Sequence, residues 1–224
     1  MGLELFGKDM FLPDEPRFTT PNKLDSKIRN RLYWGSENRA LAENYSDALI
    51  YGVSLTSLIW GPLAAKEPTK AALINMEVFS ANSLITNLVK ISGGRERPYH
   101  HFGTRESEGP TDYASFFSGH SSVAFSQAVT NAMLLSHDYP QHEQLIWTSL
   151  LSTAALTAYF RIAGDMHYFS DVVVGASIGS LIAWYITDSQ MKRFGLEGEE
   201  ENDIVFKVSG NRSDFMFIVK IPLG

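Results

Sequence analysis

Five helix-length segments leave this chain little choice of architecture. Residues 44–64, 69–91, 119–136, 142–163 and 168–188 are apolar or amphipathic over long stretches, and glycine, proline or a polar loop separates each from the next. Gly61-Pro62 is expected to stop the first and Gly93-Gly94 the second, while Ser118 suits the N-cap of the third. In the last, Gly175, Gly179 and Ala183 recur at four-residue spacing, which lets a neighbouring helix approach closely. A shorter amphipathic helix is expected ahead of them, with Asp25 near its start and Ile28, Leu32 and Tyr33 on one face.

The expected fold class is therefore all-α: a helical bundle of about five to six core helices, with a short C-terminal β-hairpin. The hairpin is read from the β-branched and aromatic runs Ile204–Val208 and Phe215–Ile221 around Gly210-Asn211. Three parts follow. Residues 1–22, with Pro13, Pro16 and Pro21, form an irregular N-terminal arm; residues 23–195 form the helical domain; residues 196–224 form an acidic linker and hairpin tail.

The length of 224 residues suits one domain with tails, and 44% hydrophobic residues can fill its core. Residues 48–65, 145–160 and 172–187 approach the length of a membrane span. Serine, threonine and glycine dilute each of them, so buried helices of a soluble bundle are the favoured expectation. A net charge of −6 and the lack of a long basic stripe exclude nucleic acid as a partner. An anionic substrate must be caught by local cations instead. With no cysteine, disulfides and thiolate chemistry are excluded. Met1–Phe11 lacks a basic region followed by a long apolar run and is not an intact signal peptide.

The chemistry is concentrated in three islands: Lys90-x6-Arg97-Pro98, Ser118-Gly119-His120 and Arg161-x5-His167-x3-Asp171. Lys90 and Arg161 are expected at helix ends, and Arg97 lies just past a glycine pair. Three cations on one anion make a clamp, and guanidinium forks match phosphate oxygens. Ser118 and Gly119 open a helix whose N–H groups and dipole favour an anion, with Gly119 allowing close backbone approach. His120 then stands where an imidazolium can protonate a leaving alkoxide. His167 and Asp171, four apart, share a face if one helix carries both. Asp171 would accept a bond from one ring nitrogen and leave the other free to attack phosphorus.

In order and spacing, these islands resemble the superfamily of type 2 phosphatidic acid phosphatases and vanadium-dependent haloperoxidases. Its signature is a lysine, six residues and Arg-Pro; then Pro-Ser-Gly-His; then Ser-Arg, five residues, histidine, three residues and aspartate. Nine positions match: Lys90, Arg97, Pro98, Ser118, Gly119, His120, Arg161, His167 and Asp171. Phe117 and Phe160 replace the signature's proline and serine. The resemblance covers residues 40–190. It implies metal-independent phosphatase chemistry through a phosphohistidine, with His167, His120 and Asp171 catalytic and Lys90, Arg97, Ser118, Gly119 and Arg161 holding phosphate. It implies no cofactor, vanadate acting as a phosphate mimic or inhibitor, and a phosphorylated small molecule or lipid as substrate. Bacterial extracytoplasmic members are the most similar, which implies a periplasmic or membrane-associated protein whose leader precedes this numbering.

Two other functions use the same residues: a vanadate-dependent haloperoxidase, and a non-catalytic binder of phosphate or lipid heads. A metal site would have to draw on His100, His101, Asp112, His167 and Asp171, and no second close-spaced ligand pair supports one. Arg95 would either assist substrate binding or, as its charged neighbours favour, face solvent. Asp165 would either cap a loop or orient Arg161. Contact with a membrane surface and the oligomeric state stay open.

Overall fold

The computed structural model describes residues 12–18 and 21–196 in full, together with the backbone of residues 205–211 and 214–220. The first eleven residues of the expected arm and the acidic run 197–203 lie outside the described residues. Contacts divide the chain into two units, Met1–Gln190 and Met191–Gly224. The helices run in the order α1 (Lys23–Leu32), α2 (Arg39–Leu55), α3 (Gly61–Ala64), α4 (Pro68–Gly93), α5 (Pro98–His101), α6 (Gly119–Asp138), α7 (Glu143–Ala163) and α8 (Phe169–Arg193). The class is all-helical through the site-bearing unit. In the other unit the backbone of Val205–Asn211 and Asp214–Lys220 runs antiparallel, with Val205 opposite Lys220. Nothing in the site depends on it.

Local chemistry sets the helix ends. Asn22 caps α1, its Oδ1 accepting from the Asp25 N–H at 2.8 Å. Gly94 closes α4 in the left-handed conformation, at φ 61°, which only glycine adopts without strain. Gly61-Pro62, however, is not a stop. A wide π turn, Thr56–Trp60, follows α2, and α3 then carries the helix on to Ala64. The wide turn lies where the Pro62 ring would press on a regular one. Gly61 has a packing role: a Cβ there would stand 2.0 Å from Asn131 Oδ1 on α6.

Helix α6 is the axis of the bundle. Ser122, Ala124, Gln127, Thr130, Asn131 and Ala132 are all buried, so it is enclosed on every side rather than along one stripe. Three of its polar side chains, Ser122, Asn131 and Thr130, pair across helices. Ser122 Oγ donates to Asn82 Oδ1 on α4 at 2.6 Å, and Asn131 Nδ2 donates to Asn75 Oδ1 at 2.9 Å. Thr187 on α8 meets Thr130 at 3.3 Å. The small-residue row on α8 packs as its spacing implies: Cβ atoms at Gly175 and Gly179 would stand 2.5 Å and 2.1 Å from the Ser118 and Ser122 carbonyl oxygens.

A polar, small-residue interior is paired with an apolar exterior. Trp60, Leu145, Leu181, Trp184 and Tyr185 are each more than half exposed. Arg39–Ala64, Pro140–Ala163 and Phe169–Arg193 are long and apolar enough to cross a membrane, and only 22%, 28% and 28% of their most apolar windows are buried. At 1.5 Å per residue each measures over about 35 Å, more than the hydrocarbon thickness of a bilayer. The expectation of a soluble bundle that buries these runs is therefore corrected. Their apolar side chains face outward and interhelical hydrogen bonds join the interior, as in membrane-associated bundles.

Gly179→Val tests the α6–α8 contact. The new side chain would meet backbone, which cannot rotate away, so a cost on the order of 3 kcal/mol is expected. Thermal melting in detergent should show a clear drop; an unchanged melting temperature would contradict this packing.

Candidate active site

A cavity of about 320 Å³ opens where α4 and α7 end and α6 begins. Lys90, Arg97, Gly119, His120, Arg161 and His167 all line it. Residues distant in sequence are thus brought together as the islands predict. Ser118 and Asp171, both fully buried, stand behind its wall. Two carboxylates that the islands do not contain also line it: Glu43 and Asp47, one turn apart on α2.

His167 sits in the loop between α7 and α8 and is 2% exposed. Its Nδ1 lies 2.8 Å from the Ser115 carbonyl oxygen. A carbonyl only accepts, so Nδ1 carries the hydrogen and Nε2 keeps its lone pair. This corrects one expectation. Asp171 is 3.8 Å from Nδ1, too far for the expected hydrogen bond. Asp171 instead accepts from Ser115 Oγ at 2.6 Å, the Tyr168 N–H at 2.9 Å and Arg95 Nη1 at 2.5 Å. It braces the residue that holds His167 rather than the ring itself. Burial pushes the His167 pKa well below its ordinary value, and Arg97, Lys90 and Arg161 push it the same way.

His120 lies in the first turn of α6, its Nε2 2.8 Å from Asp47 Oδ1. The same carboxylate oxygen accepts from Arg161 Nη1 at 3.3 Å, and Nη1 also donates to Ser46 Oγ at 2.9 Å. Arg161 Nε is buried without a hydrogen-bond partner among the described residues. A buried, unsatisfied guanidinium donor is costly unless a ligand completes it. Burial, then Arg161, push the His120 pKa down to about 3, with Asp47 acting in the opposite direction.

The remaining cations are braced by backbone. Arg97 donates from Nε to Thr111 O at 2.9 Å and from Nη1 to Met166 O at 3.2 Å. Lys90 Nζ donates to Ala114 O at 2.6 Å. Ser118 caps α6, its Oγ accepting from the Ser121 N–H at 3.3 Å. A Cβ on Gly119 would stand 3.3 Å from Thr86 Cγ2 and 3.6 Å from Lys90 Cε, so glycine leaves the lysine room.

Other sequence expectations are resolved. Arg95 does not face solvent: Nη1 meets Asp171 and Ser170, Nη2 meets Asp25 at 2.8 Å, and its guanidinium lies 4.4 Å from the centre of the Tyr168 ring. Asp165 accepts from Arg29 Nε and Nη2 at 2.8 and 2.7 Å and from Thr104 Oγ1 at 2.6 Å, and is not bonded to Arg161. His100 and His101 both turn Nδ1 to the Glu96 carboxylate, at 2.7 and 3.0 Å. Phe160 joins an aromatic cluster with Trp34, Tyr45 and Tyr159 at centroid distances of 5.2–5.5 Å. Phe117 is fully buried and would touch a Cβ at Gly175. Both departures from the signature thus serve packing.

Asp47, Arg95 and Ser115 are the site-forming residues that sequence reasoning missed. For Asp47 a signal existed, because a carboxylate inside a long apolar run demands a partner.

Fold and site together define a class: a helical bundle with an apolar exterior and a basic, histidine-bearing pocket. The family model of the PAP2 superfamily matches residues 71–194. The chain belongs to that superfamily. No curated protein matches the chain. Among solved structures, a transmembrane PAP2-type phosphatidylglycerolphosphate phosphatase from Bacillus subtilis is similar, with a TM-score of 0.58 and 22% identity over 75% of this chain and 85% of that one. At that identity the likeness concerns the fold.

Proposed function

We propose that the protein is a metal-independent phosphatase that hydrolyses phosphate monoesters of lipids through a phosphohistidine. The observation that carries this reading is the convergence of Lys90, Arg97, Arg161, His120 and His167 on one cavity. Three cations match the charge of a phosphate, and the orphaned Arg161 Nε supplies a donor ready for one of its oxygens. The Gly119 N–H, at the start of α6, completes the cradle, with Ser118 behind it as the helix cap.

In the first step the Nε2 lone pair of His167 attacks phosphorus. The bond from phosphorus to the leaving oxygen breaks, its electron pair goes to that oxygen, and His120 delivers a proton there. In the second step water attacks the phosphohistidine and gives a proton to His120. The P–N bond breaks, its pair returns to His167 Nε2, and inorganic phosphate leaves. Asp171 and Ser115 keep the His167 ring in the tautomer that this chemistry needs.

Two features favour a lipid substrate. The apolar exterior suits a bundle that lies in or against lipid, and the cavity wall runs from Asp47 through Ile50 and Tyr51 to Ser54, about 10 Å along α2. The Bacillus subtilis neighbour is a phosphatidylglycerolphosphate phosphatase, and a phospholipid monoester of that kind fits such a wall. The active end is proposed to face the extracytoplasmic side.

Purified protein in detergent and chelator should release phosphate from p-nitrophenyl phosphate and from phosphatidate. Vanadate should inhibit it. No turnover on any phosphate ester would overturn the reading, and vanadate-dependent oxidation of bromide would replace it with haloperoxidase chemistry.

A further inference from the structure

Asp47 belongs to α2, outside the segment matched by the family model, and to none of the three islands. It nevertheless makes the shortest contact of His120, 2.8 Å from Nε2, and shares the same oxygen with Arg161. We propose that Asp47 is a positioning residue for His120: its carboxylate accepts the Nε2–H, holds the ring at the cavity wall and offsets the cations that oppose protonation of the ring. This rests on the phosphatase reading of the site.

The geometry carries the proposal. A carboxylate only accepts, so the hydrogen shared with His120 sits on Nε2. The ring is thereby fixed at the wall of the cavity that Arg161 and His167 also line. Cations dominate the other groups around the same cavity: Lys90 from α4, Arg97 from the loop after it, and Arg161 from α7. His167 comes from the loop before α8 and is kept neutral. Glu43, the second carboxylate on α2, is engaged by Arg39 and Arg105, each at 3.4 Å. Asp47 is therefore the carboxylate that touches His120. Burial and Arg161 act against a proton on that ring, and Asp47 acts for it.

A general acid matters in proportion to the basicity of the leaving group. Asp47→Asn preserves the shape and removes the charge. It should slow hydrolysis of an alkyl phosphate by about 10- to 100-fold more than it slows hydrolysis of p-nitrophenyl phosphate. The alkaline limb of the alkyl phosphate rate profile should move to lower pH, because the imidazolium loses its counter-charge. Asp47→Glu, which keeps the charge, should restore part of the alkyl phosphate rate. Equal slowing of both substrates would overturn the proposal and reduce Asp47 to a packing role, and unchanged kinetics on both would also overturn it. A wild-type protein inactive on both substrates would remove the phosphatase reading itself, a failure distinguishable from either of these.

Discussion

His167→Ala is expected to abolish turnover, lowering kcat by at least about 10⁴-fold on any phosphate ester. The expectation follows from how completely the site commits this ring. Its Nδ1 hydrogen is taken by the Ser115 carbonyl, which leaves the Nε2 lone pair as the one available to attack. Burial and three cations hold the ring neutral well below its ordinary pKa, so the nucleophile needs no deprotonation step near neutral pH. Asp171 cannot replace it, being fully buried behind the wall and bonded to Arg95, Ser115 and Tyr168. Steady-state assay with p-nitrophenyl phosphate is the sensitive check, since a good leaving group exposes any residual attack. Because the cations remain, the variant should still bind vanadate. A variant that keeps more than about 1% of wild-type kcat would mean that another atom attacks phosphorus.

Much of this site was readable before any coordinates because its chemistry is local. Lys90, Arg97, Ser118, Gly119, His120, Arg161 and His167 fall in short islands at helix ends, and helix ends are legible from caps and glycines. What escaped notice depended on tertiary pairing. Arg95 has charged neighbours in sequence and reads as solvated, yet its two partners, Asp25 and Asp171, come from α1 and α8. Ser115 is an unremarkable loop serine whose carbonyl, not its side chain, meets His167. Asp171 shares a helical face with that ring by spacing, but the loop before α8 places Nδ1 nearer a backbone acceptor.

The same distinction explains the membrane reading. Apolar runs diluted by serine, threonine and glycine look half-buried in one dimension. In three dimensions the small and polar residues turn inward, where Gly175 and Gly179 meet backbone and Asn75 and Asn82 meet α6. The large apolar residues are left outside. Composition averaged along a helix hides which face holds which residues, and only the packing separates a buried helix from one that faces lipid.

His120→Ala should separate the two histidines by leaving group and by proton. The loss is expected to be about 10²- to 10⁴-fold for an alkyl phosphate and much smaller for p-nitrophenyl phosphate, whose phenolate departs without protonation. The pH behaviour follows from the charges around the ring. Burial and Arg161 hold the His120 pKa at about 3, so the ring is neutral at pH 7. A bound phosphate dianion offsets Lys90, Arg97 and Arg161 and favours the imidazolium, which raises that pKa. A group whose pKa rises on binding takes up a proton between its free and bound values, so binding strengthens as pH falls through that window. Wild-type protein should therefore take up protons as phosphate binds. Calorimetry in buffers of different ionisation enthalpy measures this, with the ionisation of phosphate itself subtracted. His120→Ala should lose that uptake while still binding phosphate through the three cations. Uptake unchanged in the variant would assign the proton to another group and remove His120 from the general-acid role.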